Sequence, residues 1–317
     1  MARPRVAIIG AGMAGLAAGR ALVDAGFAVQ LFDKGRAPGG RLSWRRGEAA
    51  SFDHGAQYVR AKNEAFAIYL EAAERAGCAA RWPEAEAARG DGRPAYVGLP
   101  GMSGLVGPIG RGLDVASATQ VGDASRSDDG WRLADAHGAG LGRFDALVVA
   151  IPAPQALGLF EGHPLADPLR DAAYAPCWTA MFAFGQGVEL PQIERDDDGP
   201  LAWVAHDGGK PGRGGAATLV VQAGPDWSAS NLERSREEVA ADMLAALRAR
   251  HPALPAPAQV DAHRWRFAQV IRAIGAPCVV EADAGLAFCG DYCLGPRVEA
   301  AFDSGRAAGS ALARLLG

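Results

Sequence analysis

The sequence predicts an α/β fold of the doubly wound type, with a second, mixed α+β domain inserted into it. Three observations carry that prediction. A short β-branched apolar run, Arg5 to Ile9, leads directly into Gly10-Ala11-Gly12-Met13-Ala14-Gly15, and small helix-forming residues continue to Ala25. A second apolar run, Phe27 to Phe32, closes a β-α-β unit and ends on Asp33. Far along the chain, Ala146 to Ile151 and Leu286 to Cys289 are again wholly apolar, as strands buried on both faces of a parallel sheet must be.

Composition excludes several classes of function. The chain has 317 residues, 49% hydrophobic and 21% charged, which is enough to build a core around an enclosed site and too apolar for wholesale disorder. Its net charge of −4 provides no basic field for nucleic acid or for an anionic membrane surface. Lysine occurs only at 34, 62 and 210, so arginine supplies nearly all the positive charge. The five cysteines (78, 177, 278, 289 and 293) form an odd set without disulfide-framework spacing, which points to a reducing cytoplasm. Met1 to Arg5 followed by the apolar stretch to Gly19 has the outline of a secretory leader, but Arg20 interrupts it and its glycines fall at the spacing of a nucleotide-binding loop.

Each glycine of that loop has a task. Gly10 permits the tight turn, Gly12 lets the backbone approach a pyrophosphate, and Gly15 lets helix and strand pack closely. The helix N-terminus then offers N–H groups and a partial positive charge to the phosphates. Asp33 is placed to accept hydrogen bonds from a ribose, and Gly26 stands where a helix C-cap belongs. A dinucleotide is expected here, and the loop alone does not distinguish NAD from FAD.

The next residues narrow the choice. Lys34-Gly35-Arg36-Ala37-Pro38-Gly39-Gly40-Arg41-Leu42 adds a second Gly-rich loop beyond the acid, and with it the chain resembles the flavoprotein group of amine oxidases, phytoene desaturases and renalase. Phe52-Asp53-His54-Gly55-Ala56-Gln57-Tyr58 is similar to the F-D-x-G-A-Q-Y/F segment of renalase-like bacterial flavoproteins; otherwise it reads as a buried strand before a bend. The resemblance implies a Rossmann-like FAD domain of the glutathione-reductase type and non-covalent FAD. It assigns the cofactor to Gly10, Ala11, Gly12, Met13, Ala14, Gly15, Asp33, Lys34, Gly40, Arg41, Leu42, Gly55, Ala56 and Gln57.

Downstream, Phe66, Tyr69, Leu70 and Ala73 mark a packed helix, and Ser103 is a candidate cap for another. Short alternating segments with turns at 127–130 and 137–140 read as a meander, whose leading strand, by resemblance, brings Val121 to the adenine. The run ending Ala150-Ile151-Pro152 returns to the parallel sheet, and the resemblance sets Ala150 beside the cofactor. Strands near 178–184, 201–204, 217–222 and 263–268 and an amphipathic helix over Glu233–His251 make up a second domain. Finally Gly285 to Asp291 is a strand ending in Gly290-Asp291, followed by a helix over Phe302–Leu316 with Ser304, Ala308 and Ser310 on one face. By resemblance Asp291 holds the ribityl chain, and Val298, Glu299 and Ala301 approach the flavin's pyrimidine edge. The expected division is an FAD domain over 1–59, 100–153 and 275–317 and a substrate domain over 60–99 and 154–274, with the site where they meet.

No metal-ligand spacing joins the six histidines, Cys289 and Cys293 read as packed thiols, and no G-x-S-x-G elbow occurs. The renalase resemblance implies oxidation of isomeric dihydronicotinamide dinucleotides by hydride transfer to flavin N5, with dioxygen as acceptor. Such a substrate is large and anionic, so aromatic planes with basic groups are expected around it. Gln57, Tyr58, Trp203, His206 and Lys210 are the candidate catalytic residues, with Arg213, His263 and Trp265 in reserve; core packing is the plain alternative for both tryptophans. A flavin amine oxidase, or a related oxidase or desaturase acting on another small molecule, is the rival reading. It is weakened because Leu294 stands where such enzymes carry a cage aromatic. A non-catalytic binding protein like the GDP-dissociation inhibitors would be expected to lose the phosphate glycines, which are all present here.

Overall fold

The computed structural model describes residues 3–47, 50–185 and 188–317. The chain divides into two compact units, one made of 1–40, 106–173 and 270–317, the other of 41–105 and 174–269.

The first unit is the doubly wound one. Strand β1 (Arg5–Ile9), helix α1 (Met13–Asp24) and strand β2 (Ala28–Phe32) follow one another as the apolar runs require. β1 pairs in parallel with β2 on one side and with Ala146–Val149 on the other, and that strand pairs in parallel with Leu286–Phe288. Strand Asp114–Ala116 extends the sheet beyond β2, and Val279–Glu281 closes the opposite edge antiparallel. Side chains 6–8 and 146–149 are almost wholly buried, which is why neither run alternates. A three-stranded meander, Val121–Ser127, Gly130–Asp135 and Gly140–Phe144, branches off before the sheet resumes.

The last helix, Val298–Leu316, begins before the expected Phe302 and lies along α1. Their approach is close: a Cβ at Gly305 would stand 2.1 Å from the Ala14 carbonyl oxygen, and one at Gly309 2.7 Å from that of Ala18. The packed face is therefore Gly305 and Gly309 with Ser304 and Ala308. Ser310, expected on that face, is exposed. Residues 154–173, expected in the substrate domain, group with this unit, because Phe160 sets its ring edge-on against Trp131 and Phe288.

In the second unit, a five-stranded sheet runs in the order Ile193–Arg195, Trp203–His206, Thr218–Gln222, Ala173–Ala183, Gln259–Arg272. One face packs Trp178, Phe182, Val204, Leu219 and Val221 against Val239, Met243 and Leu247 of helix Arg236–Arg250. Each large side chain so buried stabilises by about 1.5–3 kcal/mol. That helix starts at a capping box, Ser235 with Glu238, a few residues later than expected. The other face carries Met181, Ala183 and Val220 against Phe52. Helix Glu64–Arg75 buries Phe66, Leu70 and Ala73 as its spacing predicts. Ser103 lies inside a 3₁₀ turn, Met102–Val106, and caps no helix. Residues 41–59, expected with the FAD domain, group here because the Arg41 guanidinium donates to the Phe267 and Ala268 carbonyls and Trp265 Nε1 donates to the His54 carbonyl.

Candidate functional site

In the first unit the two glycine loops meet. Gly39 N–H donates to the Ala11 carbonyl at 2.9 Å, and Gly12 pairs with Gly39 across an isolated bridge. Asp33 ties both loops to the strand ends: its Oδ2 accepts from Ala11 N–H and its Oδ1 from Gly35 N–H, each at 2.6 Å. Thr119 N–H donates to the Asp33 carbonyl, which brings the start of the Val121 strand to the same corner. Gly10, at φ 102°, leaves no room for a Cβ, which would meet the Ala150 carbonyl oxygen at 2.7 Å.

Gly12 differs in kind. A Cβ there would meet nothing within 4 Å, so the bare backbone faces open space where α1 begins. Among the described residues no side chain caps α1, and no acid lies in its first turn, so the N–H groups at the positive end of its dipole are left free of a cap. A hollow that only a Cβ would fill, at an uncapped helix end, suits a pyrophosphate. Lys34 is exposed, and Gly40 lies beside Gly12. Further along, Gly290 N–H donates to Ser304 Oγ. Asp291, 6% exposed, opens a short helix, and Glu299 is buried beside Arg297 at the start of the last helix.

In the second unit the 52–58 segment is held from within. Ala56 N–H donates to the Arg41 carbonyl, and a Cβ on Gly55 would stand 2.1 Å from that oxygen, so only glycine fits. The Gly55 carbonyl accepts from Gln57 Nε2 at 3.0 Å and from Gln222 Nε2 at 2.7 Å. Gln57 Oε1 accepts in turn from Lys210 Nζ at 3.1 Å. Lys210 has no exposed side-chain surface and sits 3.2 Å from Asp53 and 2.6 Å from Asp207, while Arg213 meets Asp53 at 2.7 Å. Two acids and two bases thus neutralise one another. Burial alone would raise the Asp53 carboxyl, but Lys210 and Arg213 outweigh it and hold it below the usual range. Asp207 goes the other way: burial and the nearby Asp53 charge raise it despite Lys210.

Two aromatic groups flank this segment. Tyr58 Oη accepts from Arg89 Nε at 3.1 Å and from Arg195 Nη2 at 2.6 Å. The Arg195 guanidinium lies 4.5 Å from the Trp203 ring centre, and Trp203 and Tyr58 are 5.9 Å apart. On the other side His54 stacks on Trp265 at 5.3 Å and meets His263 edge-on at 4.9 Å. Burial and the Arg45 charge push His54 down to about 4; burial, His54 and Arg45 push His263 down to about 3. His206 lies further along the strand of Trp203, its Nε2 3.1 Å from the Ala216 carbonyl.

The model for an NAD(P)-binding Rossmann-like domain matches residues 8–72, and that for a flavin containing amine oxidoreductase matches residues 60–313. The chain belongs to the flavin-containing amine oxidoreductase family. It is an FAD-dependent oxidoreductase. Its fold is shared with a protein of Exiguobacterium sp. 255-15 provisionally assigned as a protoporphyrinogen oxidase (TM-score 0.76, 15% identity, 99% of each chain covered). Cyclohexylamine oxidase from Brevibacterium oxydans IH-35A is similar at TM-score 0.72 and 16% identity, over 99% of this chain and 100% of that one. A redesigned putrescine oxidase matches at TM-score 0.68 and 12% identity, over 98% and 99%.

Sequence reasoning passed over Asp53 and Asp207 as partners of Lys210, and it missed Arg89, Arg195 and Gln222 entirely. An acid and a base in separate turns, 53 and 207–213, carry no shared local pattern. Arg195 precedes an acidic run, Asp196 to Asp198, that reads as a solvated turn. Among the described residues no helix is long and apolar enough to cross a membrane, and no group of three or more metal-ligating side chains forms.

Proposed function

We propose that this flavoenzyme is renalase-like: an oxidase of isomeric dihydronicotinamide dinucleotides that passes the electrons to dioxygen in the cytoplasm. One observation carries the reading. Arg195, Trp203, Gln222 and Thr179 are direct cross-strand partners, so they form one row across the sheet, on the face opposite the helix-packed core. Tyr58 stacks against the Arg195 end of that row. Aromatic planes beside a guanidinium that has no carboxylate partner among the described residues suit a planar, anionic donor better than a cationic amine.

Bound FAD supplies the acceptor of the donor's hydride. The residues present fit that cofactor: Gly10 to Gly15 and the uncapped start of α1 would receive its pyrophosphate, with Asp33 at the ribose. Asp291 would hold the ribityl chain, and Ala150, Val121, Val298, Glu299 and Ala301 would lie along its length. Asp33 in this proposal has a double part, since each carboxylate oxygen already fixes one loop amide and keeps a lone pair for a ribose hydroxyl. A dihydropyridine gives up its hydride without losing a second proton first, so no general base is required, and Lys210, closed in by Asp53, Asp207 and Gln57, is left to fix Gln57 and the 52–58 segment.

Oxidation of a small amine is the second reading, favoured by the family and by the likeness to cyclohexylamine oxidase. Leu294 in place of an aromatic and the buried pairing of Lys210 count against it. The visible spectrum of the purified protein, followed anaerobically, separates the two. A flavin band bleached by isomeric dihydronicotinamide dinucleotides and restored by air supports the proposal. A band bleached only by amines, or by neither, overturns it.

A further inference from the structure

Arg195 and Trp203 each bury a donor that no group among the described residues satisfies. The Arg195 Nε and the Trp203 Nε1 both lack a hydrogen-bond partner, although most buried polar groups have one. The two side chains are stacked on each other, the guanidinium over the indole. Tyr58 adds a third donor: its oxygen accepts from Arg89 and Arg195, which leaves its own proton to be given outward. Neither arginine has an acidic partner among the described residues. Two positive charges, an indole N–H and a phenol O–H therefore share one cluster, and an acceptor carrying negative charge would satisfy them.

We infer that Arg195, Arg89, Tyr58 and Trp203 form a binding site for an oxyanion, the phosphate of a nucleotide substrate. The identification of that oxyanion as phosphate rests on the dihydronicotinamide reading; the oxyanion site itself does not. A planar guanidinium offers paired N–H groups that match phosphate, and Arg195 is already oriented by stacking on Trp203, so little side-chain freedom remains to be lost on binding. Arg89 is exposed at the end of its helix and gives the group a way in from solvent. The phenol fits the same role. Burial opposes its ionisation, the Arg89 and Arg195 hydrogen bonds outweigh that effect, and its pKa lies below the ordinary tyrosine value, as for a strong donor to an anion.

The test titrates the FAD-loaded protein with ADP-ribose, a diphosphate without the nicotinamide, by calorimetry. Wild type, Arg195→Met, Arg195→Lys and Arg89→Met are compared, and retention of the flavin band reports that each variant is folded. Arg195→Met is expected to weaken binding about tenfold or more, since a charge-assisted hydrogen bond is lost. Arg89→Met is expected to weaken it less, Arg195→Lys to recover part of the loss, and binding to fall as salt rises. Equal affinity across the four proteins, or binding of neither ADP-ribose nor nicotinate by wild type, overturns the site. Binding of nicotinate with none of ADP-ribose overturns its assignment to phosphate. Turnover of isomeric dihydronicotinamide dinucleotides keeps the two proposals apart. An Arg195→Met enzyme as efficient as wild type removes the site and leaves the function. Arg195-dependent ADP-ribose binding by a protein that oxidises none of those donors removes the function and leaves the site.

Discussion

Asp53 and Asp207 stand side by side in the interior of the second unit. The Asp53 backbone N–H donates to Asp207 Oδ2 at 3.1 Å, and one ammonium, Lys210 Nζ, serves both carboxylates. Neither acid has more than 1% of its side chain exposed, so each depends on its cationic partner. The pair joins two segments far apart in sequence, the 52–58 loop and the 206–213 turn, and Gln57 extends the link to the Gly55 carbonyl.

Lys210→Met is therefore expected to destabilise the protein by about 3–5 kcal/mol, the cost of leaving a buried charge without its partner. Thermal unfolding of the apoprotein measures it. If Lys210 served instead as a base toward substrate, the variant would lose kcat and keep its melting temperature. A variant that melts like wild type would show that the cluster does not hold the loop.

The histidine pair predicts the acid limb of stability. His54 and His263 titrate near 4 and 3 in the folded protein against 6.5 when free, so both are neutral in the fold where the unfolded chain binds a proton. Their folded values are depressed, so their contribution is intact above pH 6.5 and is lost progressively as pH falls toward 4 and 3. At pH 5 the loss is up to about 2 kcal/mol for His54 and less for the more exposed His263. Urea midpoints at pH 7.5 and pH 5 should differ more for wild type than for His54→Gln. An equal difference in the two proteins would remove the assignment.

What the sequence made legible followed its local character. The β1-α1-β2 unit, both glycine loops and Asp33 lie within one stretch, and turn, cap and acid depend only on spacing along it. The strand Leu286–Phe288 and the buried Asp291 after it were readable for the same reason. The last helix was found, and with it Ser304 and Ala308 of its packed face, but Gly305 and Gly309 reveal themselves only where α1 crosses at Ala14 and Ala18. The second unit was least legible. Its charge cluster joins Asp53 to Lys210, and its aromatic row joins Tyr58 to Arg195, and such partners meet only after the sheet has set its register. Lys210 stood out in sequence because lysine is rare here, and that rarity could not tell a buried counter-ion from a group facing substrate.

Gly12 and Gly15 separate binding from folding. A Cβ on Gly12 would touch nothing in the protein, and its φ of −77° is open to any residue. Gly12→Val should thus leave the apoprotein's stability within about 0.5 kcal/mol of wild type, as for a surface change. Its side chain would nevertheless fill the space at the start of α1, where the proposed reading brings the backbone to the pyrophosphate, and FAD should no longer be retained. Gly15 behaves oppositely, because a Cβ there would stand 1.9 Å from the Gly10 carbonyl oxygen. Gly15→Val should destabilise the apoprotein itself by at least about 1–3 kcal/mol through forced displacement of the loop. Absorbance of the purified proteins gives flavin content, and denaturant titration of the flavin-free forms gives stability. A fully loaded, yellow Gly12→Val protein would show that the pyrophosphate does not lie against Gly12, however well the rest of the loop fits.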